Sequence, residues 1–247
     1  MPQKNKRNVC KKLSELEFAF LGGVFTGDSS FTKTALGIQL TDLTIVEYVA
    51  NQLQTKITIY ESTKNPQFKP VYRTFLTRRF DLYYILTGIY PFLSNRRTKL
   101  TERLLFNISN PKILVTQPLP NQVIPLEQNK PVLLHRDCTE MEFAWLAGYF
   151  LSEGHIYIDK RPVIPYPSIV FETTEKDVIE YTSILWCKSY FPQKRKTTAG
   201  NVLYKTKLNR RIRLRYIFEG ILPYLKSFPD VQTKVKEALQ LLDKLDK

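Results

Sequence analysis

The sequence predicts an α+β protein made of two αββαββα half-domains, related by a pseudo-two-fold axis, with one helix of each packed against the other at the interface. Three observations predict it. Residues 17 to 28 (EFAFLGGVFTGD) recur as residues 142 to 153 (EFAWLAGYFLSE), and both copies end in an acid, Asp28 and Glu153. Two further blocks recur in the same order: TDLTIVEY at 41 to 48 against TEKDVIEY at 174 to 181, and VYRTFLTRRFDLYYILTGIYPFL at 71 to 93 against LYKTKLNRRIRLRYIFEGILPYL at 203 to 225. After each acid the apolar period changes from the 3.6 of a helix to the 2 of a strand. Blocks repeated in one order mark a duplication.

Each element follows from a local signal. Ser14 with Glu17, and Thr139 with Glu142, form the S/T-x-x-E pattern in which a hydroxyl and a carboxylate satisfy the free backbone donors of a helix start. Phe18, Leu21, Gly22 and Phe25 then fall at helical spacing, as do Phe143, Leu146, Ala147 and Phe150. Adjacent glycines cost about 1 kcal/mol each in a helix interior, so Gly22 and Gly23 need a reason. With Ala147 and Gly148 they would let two helix backbones approach closely. Asp28 and Glu153 would then emerge side by side, and two such carboxylates either share a proton or recruit divalent cations.

The strands come next. TALGIQLT (34 to 41) and PSIVFETT (167 to 174) alternate, with Leu36, Ile38 and Leu40 inward and Gln39 and Thr41 outward; in the second copy Ile169 and Phe171 face inward and Glu172 outward. Helical patterns follow at 42 to 54 and 175 to 187. In the later strands Arg73, Phe75 and Thr77 alternate with Tyr72, Thr74 and Leu76, and Lys205, Lys207 and Asn209 alternate with Tyr204, Thr206 and Leu208. Arg78 with Arg79, and Arg210 with Arg211, end these strands, and closing helices run to about 93 and 225. Helices on one face of each sheet leave the other face bare, carrying side chains suited to phosphates and major-groove base edges.

The expected boundaries are a basic N-terminal arm at 1–13, half-domains at 14–108 and 137–247, and an extended linker at 109–136 holding Pro111, Pro118, Pro120, Pro125 and Pro131. A chain of 247 residues can form two such domains. A formal charge of +14 and a pI near 9.6 point to a polyanionic partner. Cys10, Cys138 and Cys187 have no C-x-x-C spacing, and His135 and His155 are unpaired, so neither a disulfide framework nor a zinc site is indicated. No apolar run approaches the ~20 residues that span a bilayer. Ser14, Glu15 and Glu17 interrupt the one segment that resembles a signal peptide, and the chain reads as intracellular.

LGGVFTGDS and LAGYFLSEG resemble two degenerate copies of the LAGLIDADG motif, and residues 14 to 240 resemble a single-chain LAGLIDADG homing endonuclease. The first copy departs at Gly22, Thr26 and Ser29 but keeps Asp28. The resemblance implies a saddle-shaped antiparallel sheet lying on double-stranded DNA with a long pseudo-palindromic or asymmetric target. It implies two or three divalent ions, usually Mg2+, with Mn2+ or Ca2+ able to substitute in binding. Asp28 and Glu153 would hold them, with the Gly27 and Ser152 carbonyls as further ligands. Each half would hydrolyse one phosphodiester, leaving short 3′ overhangs. Lys226, after Pro223, Tyr224 and Leu225, would be catalytic; its counterpart is Ser94, with Arg96, Arg97 and Lys99 close by. Glu175 and Asp42 would organise water. The DNA-contacting residues would be Gln39, Thr41, Arg73, Thr77, Arg79, Tyr157, Glu172, Lys205, Lys207, Asn209 and Arg211. The same resemblance implies a monomer without an obligate protein partner, in a mitochondrion or chloroplast. Two other readings share the fold: an intron maturase that binds RNA, and a DNA-binding protein that does not cut.

Overall fold

The structure, a computed structural model, describes residues 10–61, 67, 69–108, 137–161, 163 and 165–246. The first half runs α1 (Glu15–Gly27), β1 (Ser30–Phe31), β2 (Leu36–Leu40), α2 (Leu43–Leu53), β3 (Ile57–Tyr60), β4 (Val71–Leu76), α3 (Arg79–Ile89) and α4 (Asn95–Ile108). The second runs α5 (Glu140–Glu153), β5 (Gly154–Asp159), β6 (Tyr166–Thr173), α6 (Lys176–Trp186), β7 (Phe191–Lys196), β8 (Val202–Leu208), α7 (Arg211–Ile221) and α8 (Pro229–Leu245). Each half therefore has the expected αββαββα order and one helix more. α4 and α8 follow short 3-10 turns at Tyr90–Phe92 and Leu222–Leu225. α4 buries Leu104, Leu105 and Ile108 together with Thr98 and Thr101, and α8 buries Val235, Ala238 and Leu242; both lie beyond the closing repeat block.

The described strands form two four-stranded antiparallel sheets, ordered β1-β2-β4-β3 and β5-β6-β8-β7, rather than one continuous ladder. Their inward residues, among them Leu36, Ile38, Leu76, Ile169, Phe171 and Leu208, are buried under the helices. Outward positions pair across each sheet, Gln39 with Arg73 and Glu172 with Lys205, as the alternation predicts.

Both motif helices begin with the predicted capping box. The Ser14 and Thr139 hydroxyls accept from the Glu17 and Glu142 amides, and each glutamate accepts in return from the cap amide at 2.8 Å. A tyrosine pins each chain just before the helix: Tyr84 accepts from the Leu13 amide at 2.7 Å and Tyr216 from the Cys138 amide at 2.6 Å. Residues 10 to 13 of the expected arm are thus packed on the first half, and Leu13 is buried. The rest of that arm and the expected linker lie outside the described residues.

The seam between α1 and α5 is backbone against backbone. A Cβ at Gly23 would collide with the Trp145 carbonyl, and one at Gly148 with the Phe20 carbonyl. Gly22 serves another contact: its open side receives the Phe92 side chain from the first half's own 3-10 turn, not the partner helix. The Phe92 carbonyl in turn accepts from Thr26 Oγ1 of α1 at 3.2 Å and from Trp145 Nε1 of α5 at 2.9 Å. Both motif helices therefore hold the corner from which α4 departs.

The halves differ in how they close α2 and α6. Both helices exit through a left-handed residue, Gln54 at φ 50° and Cys187 at φ 51°. In the first half Arg78 donates to the Leu53 and Gln54 carbonyls at 2.8 and 3.2 Å and pairs with Asp81 at 2.5 Å. In the second half it is the Leu185 carbonyl, one residue before the position aligned with Leu53, that accepts from both Nη2 and Nε of Arg213, the residue aligned with Asp81. Each helix end is thus held by an arginine, but both the donor and the acceptor sit at different positions of the repeat.

Candidate active centre and nucleic-acid face

Asp28 and Glu153 sit where α1 and α5 end. Asp28 is the C-cap of α1, its amide donating to the Val24 carbonyl at 2.9 Å, and Glu153 is the last residue of α5. The two helices still touch at this end, where a Cβ on Gly27 would collide with Ser152 Oγ and approach Glu153 Cγ to 3.0 Å. Burial raises the Asp28 carboxyl above its ordinary range, with Arg97 acting in the opposite direction. Burial, then the charge of Asp28, pushes Glu153 up to about 7, again opposed by Arg97. Burial is the first cause for both, so each carboxyl is held where an added positive charge would favour its ionised form.

Arg97 supplies some of that charge. It lies in the first turn of α4, its side chain only 13% exposed, and donates to the Ser29 carbonyl at 3.0 Å and the Gly27 carbonyl at 3.2 Å. Its Nε stands 3.5 Å from Glu175 Oε1 of the second half, and Arg96 approaches the same oxygen at 3.8 Å. Burial works against the Arg97 charge, and Glu175, Asp28 and Glu153 all work for it. The neighbouring Asn95 amide donates to Asp177 at 2.7 Å. From the sequence Arg97 stands only near Ser94, with no role of its own. Its role could not be read from the repeat because the aligned residue in the second half is Pro229.

The other expected centre residues fall in contrasting places. Ser94 is fully buried, its hydroxyl accepting the Arg97 amide at 3.3 Å, while Lys226 is exposed at the end of the second 3-10 turn and makes no ion pair with a described residue. Asp42 is the N-cap of α2, its carboxylate accepting from Thr44 and Ile45. Glu175 holds the same position before α6 but turns to the arginines instead. Among the described residues no group of three or more His, Cys, Asp and Glu side chains converges on a cation position. Two carboxylates and two helix-end carbonyls are what the centre offers, and one of those carbonyls, that of Gly27, is engaged by Arg97.

The bare faces of both sheets carry most of the expected contact residues. On the first sheet Gln39 and Arg73 are paired neighbours, and the Arg73 guanidinium lies 4.7 Å over the Tyr60 ring. On the second, Lys205 pairs with Glu172 at 2.9 Å, with Arg195 at 3.6 Å from the same carboxylate, and Lys207 lies 5.1 Å over the Tyr157 ring. Thr41, Thr77 and Asn209 are exposed just beyond strand ends. Arg79 and Arg211 open α3 and α7. Arg211 donates to the Leu245 carbonyl and pairs with Asp246 at the end of α8, its side chain still 47% exposed. No helix among the described residues is long and apolar enough to cross a membrane.

No protein-family model matches the sequence, and no curated protein matches it. Solved structures match it over nearly its full length. LAGLIDADG meganuclease I-AabMI, bound to uncleaved DNA, is 14% identical with a TM-score of 0.54 over 95% of this chain and 92% of its own. LAGLIDADG meganuclease I-CpaMI, also bound to uncleaved DNA, is 14% identical with a TM-score of 0.53 over 94% and 93%. Meganuclease I-SmaMI, bound to uncleaveable DNA, is 16% identical with a TM-score of 0.53 over 96% and 92%. The fold is that of LAGLIDADG meganucleases.

Proposed function

We propose that this LAGLIDADG-fold chain is a site-specific double-strand DNA endonuclease that hydrolyses one phosphodiester on each strand. The observation that carries the reading is the meeting of Asp28 and Glu153 at the ends of the crossed helices, both pushed up by burial and Glu153 also by Asp28. That pair of hard oxygen donors fits Mg2+, which is bound through few protein oxygens and keeps several waters. A bound ion would supply Lewis-acid charge to the scissile phosphate and ease deprotonation of a water. Asp28 and Glu153 would hold it from opposite halves, with the Ser152 carbonyl at hand.

The protein's remaining work is binding and orientation. Arg73, Lys205 and Lys207 present cations on the bare faces, with Arg73 and Lys207 lying over the Tyr60 and Tyr157 rings. The DNA complexes of I-AabMI, I-CpaMI and I-SmaMI support duplex DNA as the ligand. The close helix seam joins the ends that carry the two carboxylates and would hold the two cuts at a constant spacing.

The test is selection of cleaved sites from a randomised duplex library in Mg2+, followed by Asp28→Asn and Glu153→Gln on the selected site. Either variant is expected to lose at least about 10³-fold in cleavage while DNA affinity changes by less than about threefold. Unchanged cleavage by both variants would refute the site, and a library without a cleaved site would favour the RNA-binding or non-cutting readings.

A further inference from the structure

Arg97 stands in a position that the duplication does not repeat. Residues 71 to 93 align with 203 to 225, and carrying that register on sets Arg96 and Arg97 against Phe228 and Pro229. Phe228 is buried against Phe20 of α1 and Tyr48 of α2, with ring centroids 5.9 and 5.2 Å apart. On one side of the pseudo-dyad, then, an aromatic ring crosses to the opposite half; on the other, a guanidinium does. That guanidinium donates to the carbonyls on either side of Asp28 in the chain, one of them the proposed ligand carbonyl of Gly27. It is held by Glu175 from the second half and by two carbonyls of the first, Gly27 and Ser29. The corner that carries it is bonded to both motif helices through the Phe92 carbonyl.

We propose that Arg97 is the resident counter-cation of the two motif carboxylates: in the protein free of DNA it holds the charge position that a divalent ion would take, and it must release the Gly27 carbonyl before an ion can use that ligand. The inference rests on the proposed endonuclease reading for the identity of the ion. A guanidinium suits this post because it is planar, carries several donors and is weakly hydrated, so it can bridge two carbonyls and a carboxylate while largely buried. The same fork matches a phosphate, which gives the displaced side chain a partner only when DNA lies on the centre. The free protein would thus bind divalent ions poorly, and loading would be coupled to DNA. Because Pro229 has no charge to give, only one side of the centre is guarded in this way.

The test is thermal melting of the DNA-free protein with and without about 10 mM Ca2+, chosen because it reads cation binding without turnover. Wild type is expected to shift by less than about 1 °C, and Arg97→Gln to rise by about 3 °C or more, a gain removed again in the Arg97→Gln/Glu153→Gln double variant. Arg97→Lys keeps the charge but cannot span both carbonyls, and it is expected to fall between them. A Gln variant no more responsive than wild type would overturn the proposal. So would a Lys variant identical to wild type, which decides the matter even where the Gln variant fails to fold. The two readings separate cleanly: a wild-type protein that cuts its selected site while Arg97→Gln gains no Ca2+ response sinks only the counter-cation. A gained response in a protein that cuts nothing sinks only the endonuclease.

Discussion

The carboxyl of Glu153 is held up to about 7 by its burial and by the negative charge of Asp28, which reaches it from the other half of the molecule. Arg97 offsets only part of that effect, and Asp28 and Glu175 are raised as well.

A raised carboxyl gives stability a definite sign. The folded state binds the Glu153 proton more tightly than the unfolded chain, so this contribution is present in full below about 4.5 and is lost as pH rises through about 7. In chelator, the free protein is expected to lose melting temperature between pH 5 and pH 8. Glu153→Gln should flatten that slope and melt about 2–4 °C above wild type at pH 8. A slope unchanged by the substitution would assign the pH dependence to other groups.

The seam predicts a sharp dependence on two hydrogens. Gly23→Ala and Gly148→Ala each place a methyl against a backbone carbonyl of the facing helix, which cannot move aside as a side chain tip can. Each is expected to cost about 3 kcal/mol or more. Gly200→Ala, where a φ of 80° meets open space, should cost about 1 kcal/mol. Denaturant midpoints compare them, and equal losses at Gly23 and Gly200 would contradict the close approach.

The two arginines that close α2 and α6 should behave as substitutes at different addresses. Arg213→Met leaves the buried Leu185 carbonyl without its donors and is expected to cost about 2–3 kcal/mol. Arg210→Met, in the position aligned with Arg78, should cost less than about 0.5 kcal/mol because that side chain is exposed. A larger loss at Arg210 than at Arg213 would reverse the assignment.

Salt dependence distinguishes cations of the sheet face from cations of the fold. Replacing Arg73, Lys205 and Lys207 with alanine is expected to reduce the slope of log affinity against log salt by about 0.9 for each phosphate that is no longer neutralised. Arg211→Ala should leave the slope nearly unchanged and lower the melting temperature instead, since Arg211 is bonded to the end of α8. Fluorescence anisotropy on one duplex at several salt concentrations reads the slopes. An Arg211 effect as large as that of Lys207 would return it to the DNA face.

Much of the architecture is carried by patterns whose physical cause is local. The capping pairs Ser14/Glu17 and Thr139/Glu142 form as spaced, because a cap needs only its own first turn. Alternation in 71 to 76 and 202 to 208 gave the right faces for Arg73, Lys205 and Lys207, because a strand's two sides differ in burial. Asp28 and Glu153 were identifiable as a pair because duplication matched them, and the small residues ahead of them announced a close seam. Gly22 is different: its small size is legible in the sequence, but only the folded chain decides that Phe92, and not α5, fills the space beside it.

The sequence by itself thus determined the two half-domains, the helix starts, the sheet faces and the two acids, all features set by neighbours a few residues away or by the repeat. Tertiary structure alone decided which cation serves the acids. Arg97 reaches Gly27 and Ser29 across about 70 positions and Glu175 across the dyad, and neither spacing nor symmetry relates those residues. Charges brought together by helix packing respond to distance and burial in space, which no local pattern encodes.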